Sequence, residues 1–535
     1  MTFDSAHPTR SAPSAPENRV RRRRLARNSG ALSGALVLAT GSTAALLAAF
    51  AGPAGASTTF TVDSSGDGIA DAAHCTNGTP FDCTFRDATA AAADGDTIDF
   101  DSAIATISLT QRVFTPAVNI IGPADRQIAI NKTDGAIYYD VFVVNGIGNV
   151  TVSGLAITDN GVTLLNVGDK TIDRVSVTGA KAYRGGAIAT ANAGNLTITN
   201  CDLSGNAATL SGGALYAEGT GNVTISNSAV NDNDALEGGG GVHLANTGTV
   251  TITDSTFDSN SSISISWDDD GGAILVGATV TGTAIANSTI SANSAGTYGG
   301  GIFSSRFAGP MSITNSTISG NSSPFYGGGV YFRGSNVTID QSTITDNYAG
   351  KGGGFFGQTN STVTVTGSIV SGNVGMSVEA SDIGGESLDV LSDHSLIGLA
   401  DTSTFSDVAG TIRSSTPGLD VLADNGGTTK TMSLLTGSAA IDAGPDPVAT
   451  FTGNTSDQRG APWLRVYNGT ADIGAFEVQP GSSPPTSTTS TTSTTSTTST
   501  TSTTSTAAPD PTSTTTATDP TITIGTDPVV PAFAG

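Results

Sequence analysis

The stretch Gly212-Gly213-Ala214-Leu215-Tyr216-Ala217-Glu218-Gly219-Thr220-Gly221-Asn222-Val223-Thr224-Ile225-Ser226-Asn227-Ser228-Ala229-Val230-Asn231-Asp232-Asn233 holds the information that decides the fold. A glycine pair opens it, β-branched residues alternate with small polar ones through Val223-Thr224-Ile225-Ser226, and an Asn closes it. Such alternation is strand chemistry, and nothing in the stretch has helical period. The pattern recurs on both sides. First glycines fall at Gly185, Gly212, Gly239, Gly271, Gly299, Gly327 and Gly352, in steps of 27, 27, 32, 28, 28 and 25. Closing asparagines fall at Asn206, Asn233, Asn260, Asn293, Asn321, Asn347 and Asn373, in steps of 27, 27, 33, 28, 26 and 26. Two independent markers with one period indicate an array whose units bury their apolar faces against one another.

The unit's content selects the array. A helix-free repeat excludes a leucine-rich horseshoe, and four propeller-blade strands with their turns do not fit in about 27 residues. Two or three short strands per unit fit a right-handed parallel β-helix, an all-β solenoid of about ten rungs. Paired glycines let the chain turn where a Cβ would clash. Asn tolerates the left-handed conformation and bonds its amide to the equivalent Asn one rung away. A third column, Asn200, Asn227, Asp254, Asn287, Asn315, Gln341 and Gly367, is followed by Ser in six units and by Cys201 in the remaining one. Cys201 therefore reads as a small residue in a tight ladder slot rather than a reactive thiol.

Particular motifs carry a resemblance. Gly-Gly-Ala-Ile elements with Phe257-Asp258-Ser259-Asn260 and Ile318-Ser319-Gly320-Asn321 resemble the repeats of polymorphic outer-membrane proteins. Cys83-Thr84-Phe85-Arg86-Asp87-Ala88 is similar to the CSLREA element of secreted bacterial β-helix proteins. Asn425-Gly426-Gly427, Ala440-Ile441-Asp442-Ala443-Gly444, Asp457-Gln458-Arg459-Gly460 and Asp472-Ile473-Gly474-Ala475-Phe476-Glu477 are similar to the choice-of-anchor Q pattern. The resemblance covers residues 58–479 and implies a fold and an extracellular setting rather than a reaction. Nothing resembles an autotransporter's membrane barrel.

The expected organisation is a signal peptide over 1–56, an N-terminal cap over 57–110, rungs over 111–400, a C-terminal cap over 401–479 and a disordered Ser/Thr/Pro-rich tail over 480–535. The leader combines Arg21 to Arg24 with an apolar Ala31 to Ala51 stretch and Ala54-Gly55-Ala56, which suits either the general or the twin-arginine export route. An uncleaved membrane anchor is the alternative. Asp82 or Thr84 begins a short capping helix through Ala93, with Phe85, Ala88 and Ala92 on one face. Residues 420–479 are expected to seal the other end, with Arg459 in a structural ion pair. Cys75 and Cys83, eight residues apart, suit a disulfide in an exported chain.

Charge excludes one partner class. Acidic residues number 46 against 22 basic ones, a net −24, and seven of the basic residues lie within the first 56 positions. A chain so acidic does not suit nucleic acid. No membrane span is expected in the mature chain, and a monomer is the expected state. Cofactors are not expected; calcium is left open by the loose spacing of Asp63, Asp67 and Asp71 with Gly66 and Gly68, which lacks a full ligand set.

Four positions past each first glycine lies an outward column: Ala189, Tyr216, His243, Leu275, Phe303, Tyr331 and Phe356. Exposed aromatic faces at rung spacing suit sugar rings, so Tyr216, His243, Phe303, Tyr331 and Phe356 are the predicted carbohydrate-binding residues. A column covered by a loop or by the C-terminal segment is the alternative. The one long step inserts Trp267-Asp268-Asp269-Asp270, a second candidate that would stack a sugar and hold a cation, or else a solvated acidic loop. Catalytic residues are not predicted, because no converging carboxylates are evident. The expectation is a non-enzymatic, extracellular or cell-surface, adhesin-like binder of carbohydrate or an envelope ligand. A β-helix polysaccharide lyase or glycoside hydrolase, and a purely structural envelope component, are the alternatives.

Overall fold

A computed structural model describes residues 57–481 apart from 77, 79–80, 126, 134–139, 265–269, 377–381, 402–403 and 446–454. The predicted leader and Ser/Thr-rich tail lie outside the described residues.

One repeat unit shows how the coil is made. Leu215–Glu218, Val223–Ser226 and Ala229–Asn231 form three strands on three faces, and the two-residue strand Asp234–Ala235 leads into the next glycine pair. Every strand pairs in parallel with its equivalents one unit before and after: Leu215 lies over Ile188 and under Val242. First and second faces merge into a 24-stranded sheet, and the third face forms a 13-stranded one. The result is a parallel β-helix of about ten full turns. Inward rows such as Ile188, Leu215, Val242, Ile274, Ile302, Val330 and Phe355 are at most 1% exposed and fill the core.

The two glycines of a pair serve different needs. Gly239 has φ +72°, a left-handed turn that an L residue resists, whereas a Cβ on Gly240 would lie 2.2 Å from the Gly272 carbonyl oxygen of the next turn. Two Asn columns likewise divide the work assigned above to one. The left-handed corner belongs to Asn200, Asn227, Asp254, Asn287 and Asn315, with φ of 47° to 54°. The strand-closing asparagines instead form a buried ladder, in which Asn233 Nδ2 donates to Asn260 Oδ1 at 2.9 Å, Asn260 to Asn293 at 2.9 Å and Asn293 to Asn321 at 2.8 Å. It ends on Asp382, whose Oδ1 accepts from Asn373 Nδ2 at 3.0 Å.

Beside it runs a hydroxyl ladder. The Ser228 hydroxyl accepts from Cys201 N, the Ser255 hydroxyl from Ser228 N and the Ser288 hydroxyl from Ser255 N, all at 3.1 to 3.2 Å. Cys201 occupies its first slot, 4% exposed, and burial pushes its thiol up to about 11. That is an inert structural cysteine.

At the N-terminal end, Thr84 caps the helix Phe85–Ala91 and forms a reciprocal capping box with Asp87. Phe85 is fully buried, 6.1 Å from the rings of both Phe100 and Phe142, so it closes the first turns of the core. Cys75 and Cys83 form a disulfide with Cα atoms 4.7 Å apart.

The C-terminal segment differs from the expected end plug. After the last third-face strand, Ile412–Arg413, the chain turns back along the flank of the solenoid. Thr429 Oγ1 donates to the Asn287 carbonyl, and Thr289 Oγ1 to the Lys430 carbonyl. Gln458 accepts from Thr317 Oγ1 at 2.6 Å and donates to Thr289 Oγ1 at 2.9 Å. Gly474 N donates to the Gly367 carbonyl, and Ala475 N to Thr343 Oγ1. Ile473 packs with Ile369 and Leu396. The third-face strands from Thr289 onward present hydroxyl and apolar groups outward, and this segment is the strap that satisfies them. Buried ion pairs brace it: Arg459 with Asp457, as expected, and Arg465 with Glu477 at 3.1 Å.

Candidate functional site

The aromatic column forms in the predicted register, Tyr216 under His243, then Leu275, Phe303, Tyr331 and Phe356. It is not an exposed sugar platform. Phe303 is 0%, Tyr331 1% and Phe356 2% exposed. Tyr298 and Tyr326, from the turns just before Gly299 and Gly327, fold over the column: Tyr298 stacks 4.8 Å from Tyr331, and Tyr326 4.4 Å from Phe356. The column is thus a second, satellite core outside the coil. Counting from the glycines showed that these side chains leave the solenoid. The signal for their cover was a tyrosine directly preceding two of the glycine pairs.

Toward the N-terminus the column lacks that cover and becomes polar. Arg184 lies 4.8 Å over the Tyr216 ring and donates to its hydroxyl at 2.7 Å, and that hydroxyl donates to Glu218 at 3.0 Å. Burial, followed by the Arg184 charge, lowers the His243 pKa to about 4, so the ring is neutral beside Tyr216 at 5.1 Å. Its Nδ1 is enclosed without a hydrogen-bond partner. Burial raises Tyr216 to about 12. Arg184 and Glu218 come from different turns and were not joined to the column by sequence reasoning.

Trp267, Asp268 and Asp269 lie outside the described residues. Asp270 is no exposed ligand: it is fully buried, its carboxylate accepting from Ser262 Oγ, Thr297 N and Oγ1, and Tyr298 N. The acids near the N-terminus are separately engaged. Asp63 accepts from Phe81 N and Cys83 N, Asp67 pairs with Arg86 and Thr110, and Asp71 accepts from Ala73 N. Among the described residues no His, Cys, Asp or Glu group is placed to hold a metal ion, and no helix is long and apolar enough to cross a membrane.

A cleft lies elsewhere, at the corner between second and third faces. It has a volume of about 540 Å³ and is lined by Ser176, Asn200, Asp202, Asn227, Asp254 and Thr256 among others, with Thr428 of the strap at one end. Its walls are two columns: the left-handed corner residues Asn200, Asn227 and Asp254, and the third-face positions Ser176, Asp202, Ala229 and Thr256, stacked in register. The strap lies on these same two columns farther along, from Asn287 and Thr289 onward. The cleft is therefore the uncovered stretch of one lateral track. Asn200 Nδ2 is held by Asp173 at 2.8 Å, whereas the Asn227 amide and the Asp254 carboxylate make no side-chain hydrogen bond with the described residues. The internal repeats display the corner column as register alone, because nothing local distinguishes its covered members from its open ones.

A family model described as the right handed beta helix region matches residues 126–283 and again 240–388. No curated protein matches the chain. Among solved structures, the periplasmic alginate epimerase AlgG aligns at 9% identity over 60% of this chain and 76% of its own, with a TM-score of 0.38. Pectate lyase Pel9A aligns at 12% identity over 79% and 97%, with a TM-score of 0.37. The A-module of Azotobacter vinelandii mannuronan C-5 epimerase AlgE6 aligns at 14% identity over 62% and 92%, with a TM-score of 0.31. With its continuous parallel pairing and the matched repeat region, the chain is a right-handed parallel β-helix protein.

Proposed function

We propose that the protein is an exported carbohydrate binder that lays a polysaccharide along the lateral cleft rather than across the aromatic column. The observation that carries this reading is the cleft's lining of amide, carboxylate and hydroxyl groups in axial columns, with the Asn227 amide and Asp254 carboxylate free. Such groups match sugar hydroxyls, and rungs about 4.8 Å apart repeat them along the axis of a linear polymer. The Cys75–Cys83 disulfide supports an oxidising, extracytoplasmic setting. The test measures affinity of the full chain for a polysaccharide panel, then repeats it with Asn227→Gly combined with Asp254→Gly, since both residues sit at left-handed φ that Gly adopts freely. We expect at least a tenfold loss with unchanged thermal unfolding; full retention of affinity removes the cleft as the site.

A catalytic reading is favoured by one observation, the Tyr216 hydroxyl bridging Arg184 and Glu218 beside a neutral His243. Arg184 would bind the sugar and the Glu218 carboxylate would take the proton from it, with Tyr216 orienting both. Its assay is release of unsaturated or reducing ends from the same panel, with Tyr216→Phe as the control.

A further inference from the structure

The cleft's charge bears on which polysaccharide it takes. Two carboxylates, Asp202 and Asp254, line it, and no Lys or Arg does so among the described residues. Arg174, from the turn that begins the corner column, is already committed. Its Nε donates to Asp173 Oδ2 at 3.1 Å, and its Nη1 to the carbonyls of Pro123 and Ala124 at 3.1 Å each. Gln127, at the cleft's edge, donates its Nε2 to the Arg174 carbonyl, tying that segment down. The cleft thus offers a polymer no described cation, within a chain of net charge −24. A carboxylated sugar entering it would meet the like charges of the exposed Asp202, which also accepts from the Ser204 hydroxyl, and of the half-exposed Asp254, with no lining cation among the described residues to offset them. A protonated amine would find carboxylate acceptors and free amide oxygen.

The strap supplies an independent observation about what the track accepts. On the continuation of these columns it contributes the Lys430 carbonyl, which accepts from Thr289 Oγ1, the Thr429 hydroxyl, which donates to the Asn287 carbonyl, and the uncharged Gln458 side chain, which meets Thr289 and Thr317. The strap thus meets the covered stretch of the track through carbonyl, hydroxyl and amide groups. Its tip at Thr428 sets the end of the open part, which runs over the four turns from Ser176 to Thr256, about 14 Å at rung spacing.

From these observations, and resting on the carbohydrate reading above, we infer that the cleft selects a linear amino-sugar polymer and rejects polyuronates, with Asp202 and Asp254 as the specificity-determining residues. The experiment compares the full chain's binding to a β-1,4-linked glucosamine oligomer, its N-acetylated counterpart, a neutral glucan and a polyuronate, at mildly acidic pH and low salt. The glucosamine oligomer should bind at least tenfold tighter than the neutral glucan and lose that margin in high salt or in Asp202→Asn/Asp254→Asn. The polyuronate should bind only the charge-reversed Asp202→Lys/Asp254→Lys protein. A polyuronate that binds the native chain as well as the glucosamine oligomer overturns the inference while leaving the carbohydrate reading intact. Preference for the neutral glucan does the same. Failure of every glycan to bind overturns both.

Discussion

Truncating one member of the buried Asn ladder, Asn293→Ala, isolates what holds one turn to the next. Asn293 makes four bonds: its Oδ1 accepts from Asn260 N at 2.8 Å and Asn260 Nδ2 at 2.9 Å, while its Nδ2 donates to the Phe257 carbonyl at 2.9 Å and to Asn321 Oδ1 at 2.8 Å. Removal leaves the Asn260 N–H buried with no acceptor, which alone costs about 1–3 kcal/mol. The Asn260 amide keeps its bond to the Val230 carbonyl, and Asn321 Oδ1 keeps Asn293 N, so their losses are partial. The sum is about 2–4 kcal/mol, large for one polar residue. Asn293→Asp should cost at least as much at neutral pH, because the second carboxylate oxygen would face two acceptors where Nδ2 now donates. The native ladder tolerates a carboxylate only at its end, where Asp382 Oδ2 accepts from Leu399 N at 2.8 Å. Guanidinium unfolding followed by circular dichroism measures the cost, and amide exchange shows whether protection falls first in the turns bearing Asn260 and Asn321. Asn227→Ala, on an exposed corner, is the control and should cost only about 1 kcal/mol, the strain of placing Ala at its left-handed φ of 47°. If Asn293→Ala is indistinguishable from that control, the ladder does not hold the turns together.

Phe303→Ala should destabilise by about 3–5 kcal/mol, since the side chain is fully buried in the satellite core; an unchanged melting temperature would mean the column is open to solvent. Burial raises Asp340 to about 6, with Arg465 opposing it. The folded state thus holds this proton more tightly than the unfolded one, so the associated stability is present below about pH 4 and disappears as pH rises to about 6. Asp340→Asn should therefore stabilise the protein above pH 6, by at most about 3 kcal/mol, and flatten that part of the stability curve; a parallel pH profile counts against it.

How much of the molecule was legible follows from range. Gly239 and Gly240, the Asn260 ladder position and the Ser255 slot each recur once per turn, so their meaning is set by the equivalent residue one turn away, which the sequence displays. Thr84 and Asp87 are three residues apart, and their capping box is local. These features determined the parallel coil, its register, its N-terminal helix and the inert role of Cys201. The cover over Phe303 and Tyr331, the joining of Arg184 to Tyr216 and the open cleft at Asn227 depend on which surfaces other segments occupy. Gln458 meets Thr317, 141 residues away in sequence, through hydrogen bonds that leave no periodic trace. Repetition determines what lies above and below a residue. What lies beside it is decided by the non-repeating strap and turns, whose packing only the tertiary structure reveals.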